Sequence, residues 1–169
     1  GGRAPGEGHT RQAPVLRPNG STVQLDHCNI TDCAGAAGTP GKIMQASGAE
    51  LTVVDCLFQR ARMGPEISGS SFHCTNSYFM DFRGPDDSDG FYPHGQGAGQ
   101  QIRLHDCVFA GGDDDGVDTL DATVTVEGCI LRDWSNPAED AKRISAFNGN
   151  VIVRRTLIAN CYVGISAKA

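Results

Sequence analysis

A nine-residue pattern recurs six times along the chain and constrains its fold more than any other feature. Apolar or small residues occupy the first, third, sixth and eighth places of each copy. The copies are VQLDHCNIT from Val23, LTVVDCLFQ from Leu51, FHCTNSYFM from Phe72, IRLHDCVFA from Ile102, VTVEGCILR from Val124 and VIVRRTLIA from Val151. This alternation is typical of a β-strand, and its one break, between the third and sixth places, indicates a strand that bends at a corner and then resumes.

A second, shorter apolar run follows each copy. These runs lie around Ile43, Ile67, Phe91, Val117, Ile144 and Ile165. Successive copies start 21 to 30 residues apart, and the variation in length falls between the two runs, where glycine, proline and aspartate collect. Two strand runs per repeat at such a period predict a solenoid. We therefore expect an all-β solenoid of about six coils over residues 21–169, after an irregular segment or partial coil at residues 1–20.

Stacking of the coils would align equivalent places of the repeat in columns. The first places form the column Val23, Leu51, Phe72, Ile102, Val124 and Val151, and the eighth places form Ile30, Phe58, Phe79, Phe109, Leu131 and Ile158. The sixth place carries Cys28, Cys56, Ser77, Cys107, Cys129 and Thr156. The chain has seven cysteines, which fit either a ladder of buried free thiols or disulfides such as Cys107 with Cys129. Zinc is not expected, because the sequence has no CxxC spacing.

Charge and hydropathy exclude two classes of partner. The net charge is -6 with a pI near 5.2, and lysine and arginine form no basic stripe, so we expect no nucleic-acid partner. No apolar run approaches 18 residues, so we expect no membrane insertion. The chain stops within its last repeat, at GISAKA, without a polar or helical cap. Because a solenoid needs its terminal coils covered, we expect further coils or domains in the parent chain.

Acidic residues gather just before the second run in repeats three to five. The segments are PDDSDGF, GGDDDGVD and PAEDAKRI, and alignment on Phe91, Val117 and Ile144 stacks Asp89, Asp115 and Lys142. Carboxylates one strand spacing apart repel unless they are protonated, bind a cation or meet a positive neighbour. Three interpretations stay open: turn-forming aspartates that accept backbone N–H groups, a Ca²⁺ site, or an acid/base pair for sugar chemistry.

The repeats resemble the right-handed parallel β-helix of the pectin-lyase-like superfamily from Val23 to Lys168. The stretch GDDDGVDTLDATVTVEGCILRDW, with RISA, LIANC and VGISAK after it, resembles β-helix segments of large bacterial surface proteins. The resemblance implies a right-handed parallel β-helix in an extracellular or cell-surface protein that binds or processes polysaccharide. It also implies candidate residues, since pectate lyases of the superfamily use aspartates to hold Ca²⁺ and a basic residue for catalysis.

The candidates fall into three groups by implied role. The metal ligands would be Asp87, Asp89, Asp113, Asp115 and Asp118. The catalytic residues would be Asp114, Asp115, Lys142 and Arg143. The substrate-binding residues would be Tyr92, His94 and Arg103. A polygalacturonase is not favoured, because KRI at Lys142 stands where that group has a histidine motif, and RIK is missing.

Two functional hypotheses from different classes remain. One is a polysaccharide-directed module, lyase-like or binding, with Ca²⁺ at the acidic corner. The other is a non-catalytic structural or adhesion segment of a large modular surface protein. Carboxylates that converge on a gap of cation size would favour the first, whereas an ion pair of Lys142 with Asp89 or Asp115 would favour the second.

Overall fold

The chain folds into three parallel β-sheets that wind around one apolar interior. We analysed a computed structural model that describes residues 14–33, 41–84, 88–134, 136 and 141–169. Sheet A contains β1 (Pro14–Leu16), β4 (Lys42–Ser47), β7 (Met63–Ser68), β10 (Tyr92–His94), β13 (Val117–Leu120), β16 (Lys142–Phe147) and β19 (Val163–Lys168). Sheet B contains β2 (Thr22–Asp26), β5 (Glu50–Val54), β8 (Ser71–Thr75), β11 (Ile102–His105), β14 (Thr123–Glu127) and β17 (Asn150–Arg154). Sheet C contains β3 (Asn29–Thr31), β6 (Leu57–Ala61), β9 (Tyr78–Phe82), β12 (Val108–Gly112), β15 (Ile130–Trp134) and β18 (Leu157–Ala159).

Each coil contributes one strand to each sheet and pairs in parallel with the coils before and after it. The predicted columns are confirmed: Phe72 pairs with both Leu51 and Ile102, and Phe79 pairs with both Phe58 and Phe109. The structure is therefore an all-β parallel β-helix of about six coils, as the repeat predicts. Among the described residues there is no helix long and apolar enough to cross a membrane.

The predicted bend within the nine-residue pattern is the corner between sheets B and C. The fifth place of every copy has a positive φ, between 46° and 66°, and is occupied by His27, Asp55, Asn76, Asp106, Gly128 and Arg155. Asparagine, aspartate and glycine adopt this left-handed conformation at the lowest cost. One such residue turns the chain from the first sheet into the second without a longer loop.

The sixth place requires a small side chain that both donates and accepts a hydrogen bond. Ser77 Oγ donates to the Thr75 carbonyl at 2.9 Å and accepts the Cys56 N–H at 3.0 Å. Cys129 Sγ likewise donates to the Glu127 carbonyl at 3.3 Å and accepts the Cys107 N–H at 3.4 Å. This dual role explains why the place carries cysteine, serine or threonine. All seven cysteines are free thiols, as in the first of the two alternatives.

Sheet A keeps the predicted register only in its later coils. Val117 pairs with Ile144 and forms an isolated bridge with Phe91. Ile67, in contrast, lies opposite Pro93 rather than Phe91. Because side chains in a strand alternate, a shift of two places leaves the inward-facing residues inward. Phe91, Val117 and Ile144 keep the predicted register. Because the acidic segments directly precede these residues, this register determines which aspartates lie next to each other.

Candidate functional site

The acidic corner lies where the chain enters sheet A, and its aspartates form a hydrogen-bonded ladder. The Asp115 N–H donates to Asp89 Oδ1 at 3.2 Å, and the Lys142 N–H donates to Asp115 Oδ1 at 2.7 Å. The stack of Asp89, Asp115 and Lys142 that the sequence predicts is therefore present. Two of the carboxylates accept backbone N–H groups, which is the first of the three interpretations. Each of them still has a second oxygen for another partner.

Glycines beside the ladder allow consecutive coils to approach closely. A Cβ atom on Gly116 would lie 2.6 Å from the Arg143 carbonyl oxygen. A Cβ atom on Gly90 would lie 2.5 Å from the Gly116 carbonyl oxygen and 3.0 Å from the Trp134 ring. The contact also places the fully buried indole of Trp134 next to the residue that follows Asp89. The ladder thus rests on a rigid, closely packed corner.

Three carboxyl groups converge at this corner. One oxygen from each of Asp89, Asp114 and Asp115 lies within 4.8 Å of the other two. Oxygens on opposite sides of a Ca²⁺ ion are about 4.6–5.2 Å apart, since each Ca–O distance is about 2.3–2.6 Å. The exposed fraction is 3% for Asp89 and 5% for Asp115, so solvent screens their charges poorly. These three residues have the spacing and chemistry to hold a cation.

The electrostatics of the corner disfavour ionised aspartates. Burial raises the pKa of Asp115 to about 7; Asp114 adds to the rise, and Lys142 opposes it. Burial also raises the pKa of Asp89 well above its usual value, and the negative charges of Asp118, Asp114 and Asp115 act in the same direction. Lys142 Nζ lies 3.7 Å from Asp115 Oδ1. One ammonium group therefore contacts Asp115, whose pKa the negative charges of Asp114 and Asp118 raise.

Two predicted site residues, Asp113 and Arg143, have partners outside the cluster. Asp113 Oδ1 forms an ion pair with Arg83 Nη1 at 2.7 Å, and Asp113 Oδ2 accepts the Gly84 N–H at 3.2 Å. The Arg143 guanidinium is buried and donates to the Ala159 carbonyl through Nε at 3.2 Å and Nη2 at 3.1 Å. Asp87 lies outside the described residues. Asp118 is in β13, close enough to Asp89 and Asp115 to raise the pKa of both.

The predicted substrate-binding residues separate onto two faces. Tyr92 and His94 lie on β10 in sheet A, with ring centroids 5.0 Å apart. Tyr92 pairs with Glu66 of the preceding coil, and His94 Nε2 lies 3.5 Å from Glu66 Oε1. Arg103 is instead an exposed residue of β11 in sheet B. The structure therefore brings Tyr92 and His94 together, but Arg103 is on a different sheet.

The sequence analysis missed a buried ion pair beside these residues. Lys42 Nζ contacts Glu66 Oε2, and both side chains are at least nine-tenths buried. The available signal was a charged residue at the edge of each of two apolar runs, KIMQA and EISGS. A buried charge of this kind requires a partner, so the two runs could have been expected to pair.

A second group of possible ligands is much more accessible to solvent. Asp26, His27 and Asp55 also bring one ligand atom each within 4.8 Å, at the corner between sheets B and C. His27 Nδ1 is 2.6 Å from Asp26 Oδ1, and the His27 side chain is 75% exposed. Water therefore screens the charges of this group more than those of the buried acidic corner.

No protein-family model matches the sequence, and no curated protein matches it. The parallel β-helix architecture therefore rests on the strand topology, and the candidate site rests on the side chains described above.

Proposed function

We propose that this chain is a calcium-binding β-helix module of an extracellular or cell-surface protein, and that it binds polysaccharide along the outer face of sheet A. The observation that carries the proposal is the convergence of Asp89, Asp114 and Asp115 at a buried corner. The proposal assigns the module to binding rather than catalysis. Lys142, the candidate base nearest the cluster, is engaged in an ion pair with Asp115.

A bound cation would relieve the repulsion among the acidic groups. Asp89, Asp114, Asp115 and Asp118 can supply four negative charges, and Lys142 supplies one positive charge. Ca²⁺ takes six to eight oxygen ligands, so three carboxylates leave positions for water or for oxygens of a bound ligand. Asp89, Asp114 and Asp115 would hold the ion, and its charge would favour the ionised form of each.

The adjoining face of sheet A supports a polysaccharide as the ligand. Tyr92 presents an aromatic ring, and carbohydrate rings pack well on such surfaces. Beyond it lies a groove of about 350 Å³, lined by Arg17, Pro18, Asn19, Gln45, Ala46, Ser47, Glu66, Ser68 and His94. Successive coils repeat about every 4.8 Å, which allows a chain of sugars to contact several coils in turn.

A second candidate function is a rigid structural or adhesion segment. Lys142 forms an ion pair with Asp115, and Asp89 and Asp115 each accept a backbone N–H group. These contacts partly compensate the buried carboxylates without a bound ion. In this alternative the aspartates stabilise the turns of three neighbouring coils, and the module separates or presents other domains.

Calorimetric titration with Ca²⁺ tests the proposal. After treatment with a chelator, the native protein is expected to show saturable binding at pH 7.5. Asp115→Asn is expected to weaken binding at least about tenfold, because it removes a charged ligand. Asp113→Asn is the matched control, since Asp113 is two residues away but pairs with Arg83. No binding, or equal binding by Asp115→Asn, would favour the structural alternative.

The polysaccharide part of the proposal needs a separate titration. Pectate and a neutral glucan would each be added to the native protein, with and without Ca²⁺. We expect pectate to bind and Tyr92→Ala to weaken that binding, while Tyr78→Ala, an exposed tyrosine on sheet C, leaves it unchanged. Calcium binding without any polysaccharide binding would leave the ion as a structural component of the corner.

A further inference from the structure

A second groove lies on the outer face of sheet B, away from the acidic corner. Its volume is about 340 Å³, within the range of small-molecule sites. It lies between the loop that follows β10 and the outward side chains of β11 and β14. The lining residues are Gln96, Gly97, Gly99, Gln100, Gln101, Ile102, Arg103, Thr123 and Thr125.

Side-chain amides hold the loop of this groove in a fixed position. Gln96 Nε2 donates to the Gln100 carbonyl at 2.7 Å, and Gln96 Oε1 accepts the Thr123 N–H at 2.7 Å. Gln100 Oε1 accepts the Gly97 N–H at 2.6 Å, and Gln100 Nε2 donates to the Gly69 carbonyl. These bonds connect the loop to the coil before it and the coil after it. The groove is therefore formed in advance of any ligand, which reduces the entropic cost of binding.

The lining of the groove has a distinctive charge. Arg103 is its one charged residue, in a chain whose net charge is -6. Arg103 pairs in register with His73 on one side and Thr125 on the other, so no carboxylate faces it from either neighbouring strand at that place. Among the described residues, Arg103 has no ion pair or hydrogen bond through its side chain. The groove thus presents a guanidinium group whose donors are available to an anion.

We propose that this groove binds a small hydroxy acid. The Arg103 guanidinium would hold the carboxylate through two parallel hydrogen bonds, the geometry for which arginine is best suited. Gln101, Thr123 and Thr125 would bind the hydroxyl groups, since their side chains can both donate and accept. The site requires no cation and shares no residue with the acidic corner, so it does not depend on the proposed calcium site.

Titration with gluconate and sorbitol, followed by amide NMR, tests this proposal. The two compounds have the same number of carbons, but only gluconate has a carboxylate. We expect gluconate to shift the resonances of Gly97, Gly99, Thr123 and Thr125 in a saturable way, without calcium, and sorbitol to bind about tenfold or more weakly. Arg103→Ala is expected to weaken gluconate binding by about tenfold to a hundredfold, and Arg103→Lys by less.

Arg154→Ala is the control variant, because Arg154 is another exposed arginine of sheet B outside the groove. It is expected to bind gluconate as the native protein does. Equal binding of gluconate and sorbitol would overturn the proposal, as would full gluconate binding by Arg103→Ala. Sulfate that binds as tightly as gluconate would overturn the role of the hydroxyl contacts and identify a general oxyanion site.

Discussion

Asp115→Asn is expected to stabilise the calcium-free fold at pH 8, by up to about 4 kcal/mol, and to have little effect near pH 4. In the unfolded chain an aspartate ionises near pH 4, whereas burial in the folded chain raises the pKa of Asp115 to about 7. Between these pH values the folded state keeps a proton that the unfolded state has lost, so stability falls as the pH rises. Asparagine has no such dependence. The figure is an upper limit, because Lys142 loses its partner in the variant.

Urea unfolding at pH 4.5, 6 and 8, with a chelator present, measures this difference. The gap between Asp115→Asn and the native protein should widen with pH and level off above pH 7. Asp113→Asn is the matched control, because Asp113 is partly exposed and pairs with Arg83 outside the cluster. A gap that is the same at all three values would mean that Asp115 is not buried as described. Ca²⁺ should stabilise the native protein at pH 8 more than it stabilises Asp115→Asn, which binds the ion more weakly.

Phe79→Ala is expected to destabilise the fold by about 3–5 kcal/mol, the usual cost of removing a buried aromatic side chain. Phe79 is the centre of a three-ring column, with ring centroids 5.2 Å from Phe58 and 4.4 Å from Phe109. It is completely buried, and its removal would leave a cavity between the side chains of Phe58 and Phe109. The loss of free energy can be measured by urea unfolding at one pH.

The control for this variant is Tyr78→Ala. Tyr78 precedes Phe79 on β9, but it points outward and is 47% exposed. Tyr78→Ala should lower the free energy of unfolding by no more than about 0.5 kcal/mol, as is usual for surface positions. Similar losses from the two variants would contradict the inward column that the register places inside the β-helix.

The fold could be predicted from the sequence because the same alternation of apolar residues recurs in every coil. A period of two residues fixes which side chains of a strand point inward, and six copies fix how the strands stack. The sixth-place column of cysteine, serine and threonine adds a second constraint, since these residues share the hydrogen bonds that close a corner. The stacks through Phe72 and Phe79 could therefore be predicted residue by residue.

Only part of the candidate site could be predicted from the sequence. Register placed Asp89, Asp115 and Lys142 in one column, because their distance from the strand is the same in three coils. Register does not determine the direction of a side chain within an irregular corner. Asp113 and Asp114 are adjacent in sequence, yet Asp113 pairs with Arg83 and Asp114 joins the cluster. The pairing of Lys42 with Glu66 likewise depends on side-chain direction, which strand periodicity does not supply.

Terbium luminescence tests the calcium site most directly. The chain has one tryptophan, Trp134, whose buried ring lies against Gly90, next to Asp89. Excitation of this indole should therefore produce terbium emission that saturates, that Ca²⁺ reverses, and that Asp113→Asn retains. Trp134→Phe should lose the sensitised emission, and Asp115→Asn should reduce it at a given terbium concentration, because this variant binds the ion more weakly. Two results would contradict a cation site at the acidic corner. One is that the native protein shows no sensitised emission, and the other is that Asp115→Asn shows undiminished emission.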